Sequence, residues 1–539
     1  MRRSVLPVVA AMSLSLLLPQ QAASADTLPV QPLSGAEISQ VGPGTYYSDT
    51  KTFRFTESDV PAGLMGRKHS VVTPAEGGLA KPESAPETRP DMGVFGAGWE
   101  AEFLGGQLNR KLEQVDGAVV VTDLVVNESF RYELVDSIEY PGGGGVNKYE
   151  DASGSKITET TKWDEGQAAL TTTISEVIAT ELSAVAAGDD KFKDANGNPL
   201  SNADLAPTYT WQQPAGYTGA DTWRVTKTGN NAFGANTATY DAKGRVSTVT
   251  TIPNSEGVTD SLAVTYADST TASGSAFGDF SGLVKEISAT NGQTTQTVAR
   301  YSYDASGKLR TVSDPSESSE PEATYSYDET GRVNDIDSAL NGSWELDFPA
   351  EGAVPNATFD GPASPSSEAQ LQGSAGITDP NATGPIQSEF LQPGGPEAPL
   401  SNPGQCYTAY RWMYYATYGC AAWAKHYGWK QPYFKWTPDG TRVVGINNDH
   451  CTDSPDQPSG YDFRTACDSH DYGYGLIGNT WTSYSYYLSR YNKDAVDQEF
   501  YNMLVNKTCD AYRNKSTCRS RAGTYLWFVR HFGDPHNGA

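Results

Sequence analysis

Apolar and polar residues change rhythm along this chain. From Ala118 to Val126 the run Ala118-Val119-Val120-Val121-Thr122-Asp123-Leu124-Val125-Val126 is rich in β-branched residues, and Ser129 to Leu134 alternates with period two, which predicts strands. The same texture recurs at Thr222–Thr226 and Ser261–Tyr266, with Gly, Asn, Asp and Ser turns between the runs. Towards the end the period becomes helical. Phe463, Ala466, Cys467, His470 and Tyr474 stand at offsets 0, 3, 4, 7 and 11, so His470 points with the apolar face into the protein. A second helix from Arg490 to about Cys509 carries Val496, Phe500, Met503 and Leu504 as its stripe. Cys406 to Trp429 is also helix-periodic and dense in aromatics, among them Tyr410, Trp412, Tyr414, Tyr415, Tyr418, Trp423 and Trp429. Such a stripe can meet a lipid interface, but core packing is the expected role.

These rhythms divide the chain. Residues 1–25 combine Arg2 and Arg3, an apolar run to Leu18 and Ala23-Ser24-Ala25, the pattern of a secretory signal peptide. Residues 26–93, with recurrent prolines, read as an irregular lead-in, and 94–348 as the β-rich region. Residues 349–403 hold ten prolines and no Lys or Arg, and read as an extended acidic linker. Residues 404–539 form the helix-rich, cysteine-bearing end. The expected fold is therefore multidomain, all-β followed by all-α.

One unit repeats within the β region: Tyr240-Asp241-Ala242-Lys243-Gly244-Arg245-Val246, Tyr301-Ser302-Tyr303-Asp304-Ala305-Ser306-Gly307-Lys308-Leu309 and Tyr325-Ser326-Tyr327-Asp328-Glu329-Thr330-Gly331-Arg332-Val333. Aspartate opens a turn through its side chain, glycine takes the positive-φ position, and the basic and aliphatic pair starts the return strand. This resembles the YD-repeat, or Rhs, family of secreted bacterial proteins, whose Tyr-Asp-x-x-Gly-Arg units build a wound β-sheet. Gly93-Val94-Phe95-Gly96-Ala97-Gly98-Trp99 looks like the opening segment of such proteins. With 63 residues between Tyr240 and Tyr303 against 24 between Tyr303 and Tyr327, any intervening unit has decayed, and three clear units do not imply a complete shell.

Charge and cysteines refine the division. The net charge is −26 over 539 residues, but from Ser401 onward 14 Lys and Arg face 12 Asp and Glu, so the acidity belongs to the first 400 residues. Such acidity disfavours nucleic acid as a partner of that part, because phosphate contacts need a basic surface. All six cysteines, Cys406, Cys420, Cys451, Cys467, Cys509 and Cys518, lie in the last part, and an even count in an exported chain reads as a disulfide framework. If Cys406 and Cys420 pair, the chain must turn between them, since 14 helical residues would span roughly 21 Å.

The chemistry concentrates in Cys467-Asp468-Ser469-His470-Asp471-Tyr472-Gly473-Tyr474-Gly475. Asp471 swings about 100° from His470 to the edge of the helix, so the two serve different neighbourhoods. Asp497 lies on the inward seam of the second helix, where a carboxylate needs a partner, and His470 offers one. Upstream, Asn448 to Tyr461 is a loop tied by Cys451, and Cys467 is the nearest later cysteine. A bridge between them would bring Asp449 near Asp471. With a carbonyl from His450, that would make a hard-oxygen site suited to Ca²⁺.

At these residues the chain resembles the prokaryotic secreted phospholipase A2 family. The resemblance is carried by Cys467 to Tyr474, by Asp449-His450-Cys451-Thr452 with Pro455-Asp456-Gln457-Pro458, and by Asn492-Lys493-Asp494-Ala495-Val496-Asp497-Gln498-Glu499-Phe500-Tyr501, within about residues 405–533. It implies His470 as general base, Asp497 as its orienting partner, and calcium held by Asp449, Asp471 and the His450 carbonyl. It also implies disulfides Cys451–Cys467 and Cys509–Cys518. Cys406, Cys420 and the aromatic stretch around them depart from the pattern. The implied activity is hydrolysis of the sn-2 ester of glycerophospholipids at a membrane or micelle surface, outside the cell. Neither Gly-x-Ser-x-Gly nor His-Glu-x-x-His occurs. The competing readings are an adhesion protein whose β region binds a cell surface and whose helical end is inactive, and a carrier that delivers the lipase as a toxin.

Overall fold

The computed structural model describes Leu33 and most of residues 37–360 and 409–535; 73–88, 416–419, 422–432, 447–449 and 478–492, with shorter gaps, lie outside the described residues. The signal-peptide segment, most of the linker, Cys406 and Asp449 are therefore outside them.

Among the described residues, eighteen strands, β6 (Arg110–Val115) to β23 (Asn356–Phe359), form one sheet that closes into a barrel, each strand antiparallel to the next in sequence. Three clear repeats had not implied that closure. Pairing needs only alternation and a turn, so hairpins without the Tyr-Asp signature, such as Thr208–Gln212 with Arg224–Asn230, extend the ring.

The repeats supply its most regular corner. In each turn an aspartate Oδ1 accepts two backbone N–H groups: Lys243 and Arg245 on Asp241, Ser306 and Lys308 on Asp304, Thr330 and Arg332 on Asp328, all at 2.9–3.1 Å. Gly244, Gly307 and Gly331 have φ of 74°, 81° and 89°, the region that favours glycine. The tyrosine before each aspartate reaches back across the sheet, Tyr240 to the carbonyl of Val225, Tyr303 to Val284 and Tyr327 to Leu309. Tyr266, which is not followed by aspartate, does the same to Val246.

A separate five-stranded antiparallel sheet, β1 (Ile38–Val41), β2 (Gly44–Tyr47), β3 (Thr52–Ser58), β4 (Met65–Val72) and β5 (Trp99–Phe103), packs against the barrel's inward face. Residues 26–93 had read as an irregular lead-in; four of these strands lie there, and none of the four contains a proline. The contact is aromatic. Phe55, Trp99 and Met65 share one core with Tyr301, Tyr303 and Tyr325, and the fully buried Arg67 pairs with Asp59 while its guanidinium lies 4.4 Å from the Trp99 ring. Gly96 has φ 94°, and a Cβ there would sit 2.6 Å from the Gly307 carbonyl, so the opening segment abuts a repeat turn. The linker also begins later than residue 349, because Asn356–Phe359 pairs with Gly342–Asp347.

The C-terminal part carries α1 (Arg464–Ile477), α2 (Lys493–Met503) and α3 (Lys515–Phe532) around a core that includes Trp412, Phe463, Val496, Phe500, Leu504 and Phe528. It is not all-α: β24 (Tyr433–Trp436) pairs with β25 (Arg442–Gly445) across a Pro438-Asp439-Gly440 turn, with Gly440 at φ 90°. Trp412 and Tyr415 are buried, as a core role requires, while Tyr418, Trp423 and Trp429 fall outside the described residues. Ala409–Trp412 is a 3₁₀ turn where helical periodicity had predicted α-helix.

The helices and the β body share contacts. Glu128 of the barrel accepts the backbone N–H groups of Lys515 and Ser516 at 2.6 and 2.9 Å, capping the start of α3. Arg519 bonds the Gly105 carbonyl at 3.0 Å, Tyr47 donates to Asp510 at 3.0 Å, and Phe192 packs on Phe528.

Candidate active site

His470 is buried in the middle of α1, on the face its spacing had indicated. Its Nε2 lies 2.9 Å from Asp497 Oδ1, across the contact between α1 and α2. Asp497 is fully buried and takes three donors: His470, the Tyr474 hydroxyl on Oδ1 at 2.7 Å, and Lys493 Nζ on Oδ2 at 2.6 Å. Lys493 also donates to the carbonyls of Val529 and Arg530 near the end of α3, at 2.9 and 3.2 Å. The imidazole packs 4.8 Å from Phe500 and 4.0 Å from the Tyr474 ring, centre to centre.

Burial works against a charge on Asp497, but the Lys493 ammonium and the hydrogen bond from His470 outweigh it and hold the carboxyl below the usual range. For His470, burial favours the neutral ring, yet the carboxylates of Asp471 and Asp497 prevail and raise its pKa. Asp497 thus fixes Nε2 as the anchored nitrogen and leaves Nδ1, 3.9 Å from Asp471 Oδ1, as the nitrogen that can accept a proton.

Of the expected metal ligands, Asp471 follows His470 on α1 and His450 stands in the loop bridged to α1 by Cys451–Cys467, whose Cα atoms are 5.2 Å apart. Asp449 is outside the described residues, and among those described no cluster of three or more ligands occurs. The available donors fit calcium in kind. Asp471 gives a carboxylate and His450 a carbonyl, while the His450 ring is turned to Asp468, its Nδ1 2.9 Å from Oδ1. That bond, the largest effect on the ring, raises its pKa. The second bridge, Cys509–Cys518, ties the end of α2's continuation to α3, and Cys420 is also disulfide-bonded.

Sequence reading did not identify Lys493, Tyr474 or Asp468 as polar partners. For Lys493 and Tyr474 the signal existed: each lies four residues along a helix from Asp497 or His470. Asp468 contacts residues from a distant strand and loop, which no local spacing announces.

Comparison with known proteins places this helical domain in context. Residues 420–533, which contain His470, Asp471, Asp497 and both described bridges, match the family described as prokaryotic phospholipase A2, and residues 303–340 match the RHS repeat. The C-terminal domain is thus phospholipase A2-like, and the β region that precedes it carries an RHS repeat. Among individual proteins, the "Secretory phospholipase A2" of Arthroderma benhamiae is 36% identical over 96 residues, which cover 16% of this chain and 59% of that protein.

Proposed function

We propose that the chain is a secreted, calcium-dependent phospholipase A2 that hydrolyses the sn-2 ester of glycerophospholipids at a membrane or micelle surface. The observation that carries this reading is the buried His470–Asp497 pair, with Nδ1 turned towards Asp471 inside the family-matched region. His470 takes a proton at Nδ1 from the water that attacks the ester carbonyl. Asp497 keeps the ring in one tautomer and stabilises the imidazolium, while Tyr474 and Lys493 keep Asp497 ionised and in place. The proton then passes to the leaving alcohol, so fatty acid and lysophospholipid are the products and no covalent enzyme intermediate forms.

Asp471, the His450 carbonyl and Asp449 would hold the calcium, which when bound polarises the ester carbonyl and engages the phosphate. The N-terminal segment and the disulfides support export. Release of fatty acid from phosphatidylcholine vesicles tests the reading: it should require calcium and stop on chelation, and release indifferent to chelator would exclude it.

A further inference from the structure

We propose that Asp468 and Lys435 are positioning residues for the calcium loop, forming with the His450 side chain a buried clamp that orients the backbone carrying the His450 carbonyl. The inference rests on the phospholipase reading above and deepens it.

Three separate pieces of chain meet here. Lys435 comes from β24, Asp468 from α1 and His450 from the disulfide-tied loop, and all three are buried, at 7%, 1% and 6% exposure. Asp468 uses both carboxylate oxygens: Oδ2 accepts from Lys435 Nζ, and Oδ1 faces His450 Nδ1 at 2.9 Å. A buried carboxylate without a cation is costly, so Lys435 makes the carboxylate tolerable and the carboxylate in turn holds the imidazole. Asp468 also receives the approach to the loop. The Ile446 backbone N–H donates to its carbonyl at 3.1 Å, and a Cβ on Gly445 would sit 3.1 Å from its own Cβ. Residues on both sides of the segment leading into His450 are therefore fastened to one residue of α1, three positions before Asp471.

The backbone at His450 explains why a clamp is needed. Its φ is 61°, in the left-handed region that glycine or asparagine adopts most readily and that is strained for a histidine. A conformation of that kind persists only where the surroundings impose it. The Cys451–Cys467 bridge fixes the following residue, and the imidazole bond to Asp468 fixes His450 itself. The carbonyl accepts a long 3.2 Å bond from Thr452 N–H, and a carbonyl oxygen has a second lone pair to offer a cation. The side chain and the carbonyl of His450 thus have separate duties, anchoring and ligation.

The test is calcium titration of the full chain by calorimetry, for the wild type, Asp468→Asn and His450→Leu, with thermal melts as a control for folding. Both variants should bind calcium about tenfold more weakly or worse. Their combination should be no weaker than the poorer single variant, and activity lost at limiting calcium should return when calcium is raised. Affinity equal to wild type in either folded variant would overturn the clamp and leave the phospholipase reading intact, even if the melting temperature fell. A wild type that binds no calcium would overturn both. If Asp468→Asn does not fold, His450→Leu decides alone.

Discussion

At the scale of single residues, the site depends on how one buried carboxylate is satisfied. Asp497 has three donors and no exposure, so Asp497→Asn should leave the fold intact yet slow fatty-acid release by roughly 10²–10⁴-fold, because an amide cannot stabilise the imidazolium. An unchanged rate in the folded variant would remove it from the site. Lys493→Met leaves that carboxylate with one cationic partner fewer and should cost roughly 2 kcal/mol in denaturant unfolding. The depressed pKa of Asp497 sets a direction with pH. Its stabilising contribution is complete above the unfolded carboxyl value of about 4 and is lost as pH falls towards the folded value, so acid melts of Asp497→Asn should be flatter than those of the wild type below that point. The His470–Asp497 pair was legible in the sequence, because helical spacing placed both on inward faces. Its charge balance was not, since the carbonyls that help hold Lys493 come from α3, 36 and 37 residues away.

Among elements, turns were legible and sheets were not. An Asp-x-x-Gly turn is local chemistry, and the bonds to Asp241, Asp304 and Asp328 follow from it. The sheet β1–β5 is built of short strands, and β4 and β5 are separated by a proline-bearing stretch, so its pairing was hidden even though Phe53 and Phe55 alternate with polar residues. Burial with little compensation there has a measurable consequence. Desolvation raises the Glu57 pKa to about 7, against a lowering effect from Arg67, and its Oε1 has no hydrogen-bond partner. A carboxyl raised in the folded state favours folding when protonated, and that advantage fades as pH climbs past its unfolded value and through the folded one. Glu57→Gln should therefore stabilise the chain by a few kcal/mol at pH 8 and little at pH 4, as read by thermal melts. Equal effects at both pH values would contradict the assignment. At the other contact, Glu128→Ala removes the cap of α3 and should cost about 1 kcal/mol.

At the scale of the whole molecule, the division into a β body and a helical end was readable from the change of period and from the confinement of the cysteines. Their union was not, because it rests on pairs hundreds of residues apart, such as Tyr47 with Asp510 and Gly105 with Arg519. Gly105 has φ 64° and a Cβ there would collide with the Tyr501 ring, so Gly105→Ala should loosen this union and bring the helical domain's unfolding to a lower temperature than the barrel's. A single unshifted calorimetric transition would count against coupling through that contact. All of the proposed chemistry nevertheless passes through one imidazole nitrogen. The most direct measurement is fatty-acid release from phosphatidylcholine labelled at the sn-2 position, at saturating calcium, for the wild type and for folded His470→Ala. Release that is calcium-dependent in the wild type and at least 10²-fold slower in the variant is the predicted result; equal release by the two proteins would contradict His470 as the base.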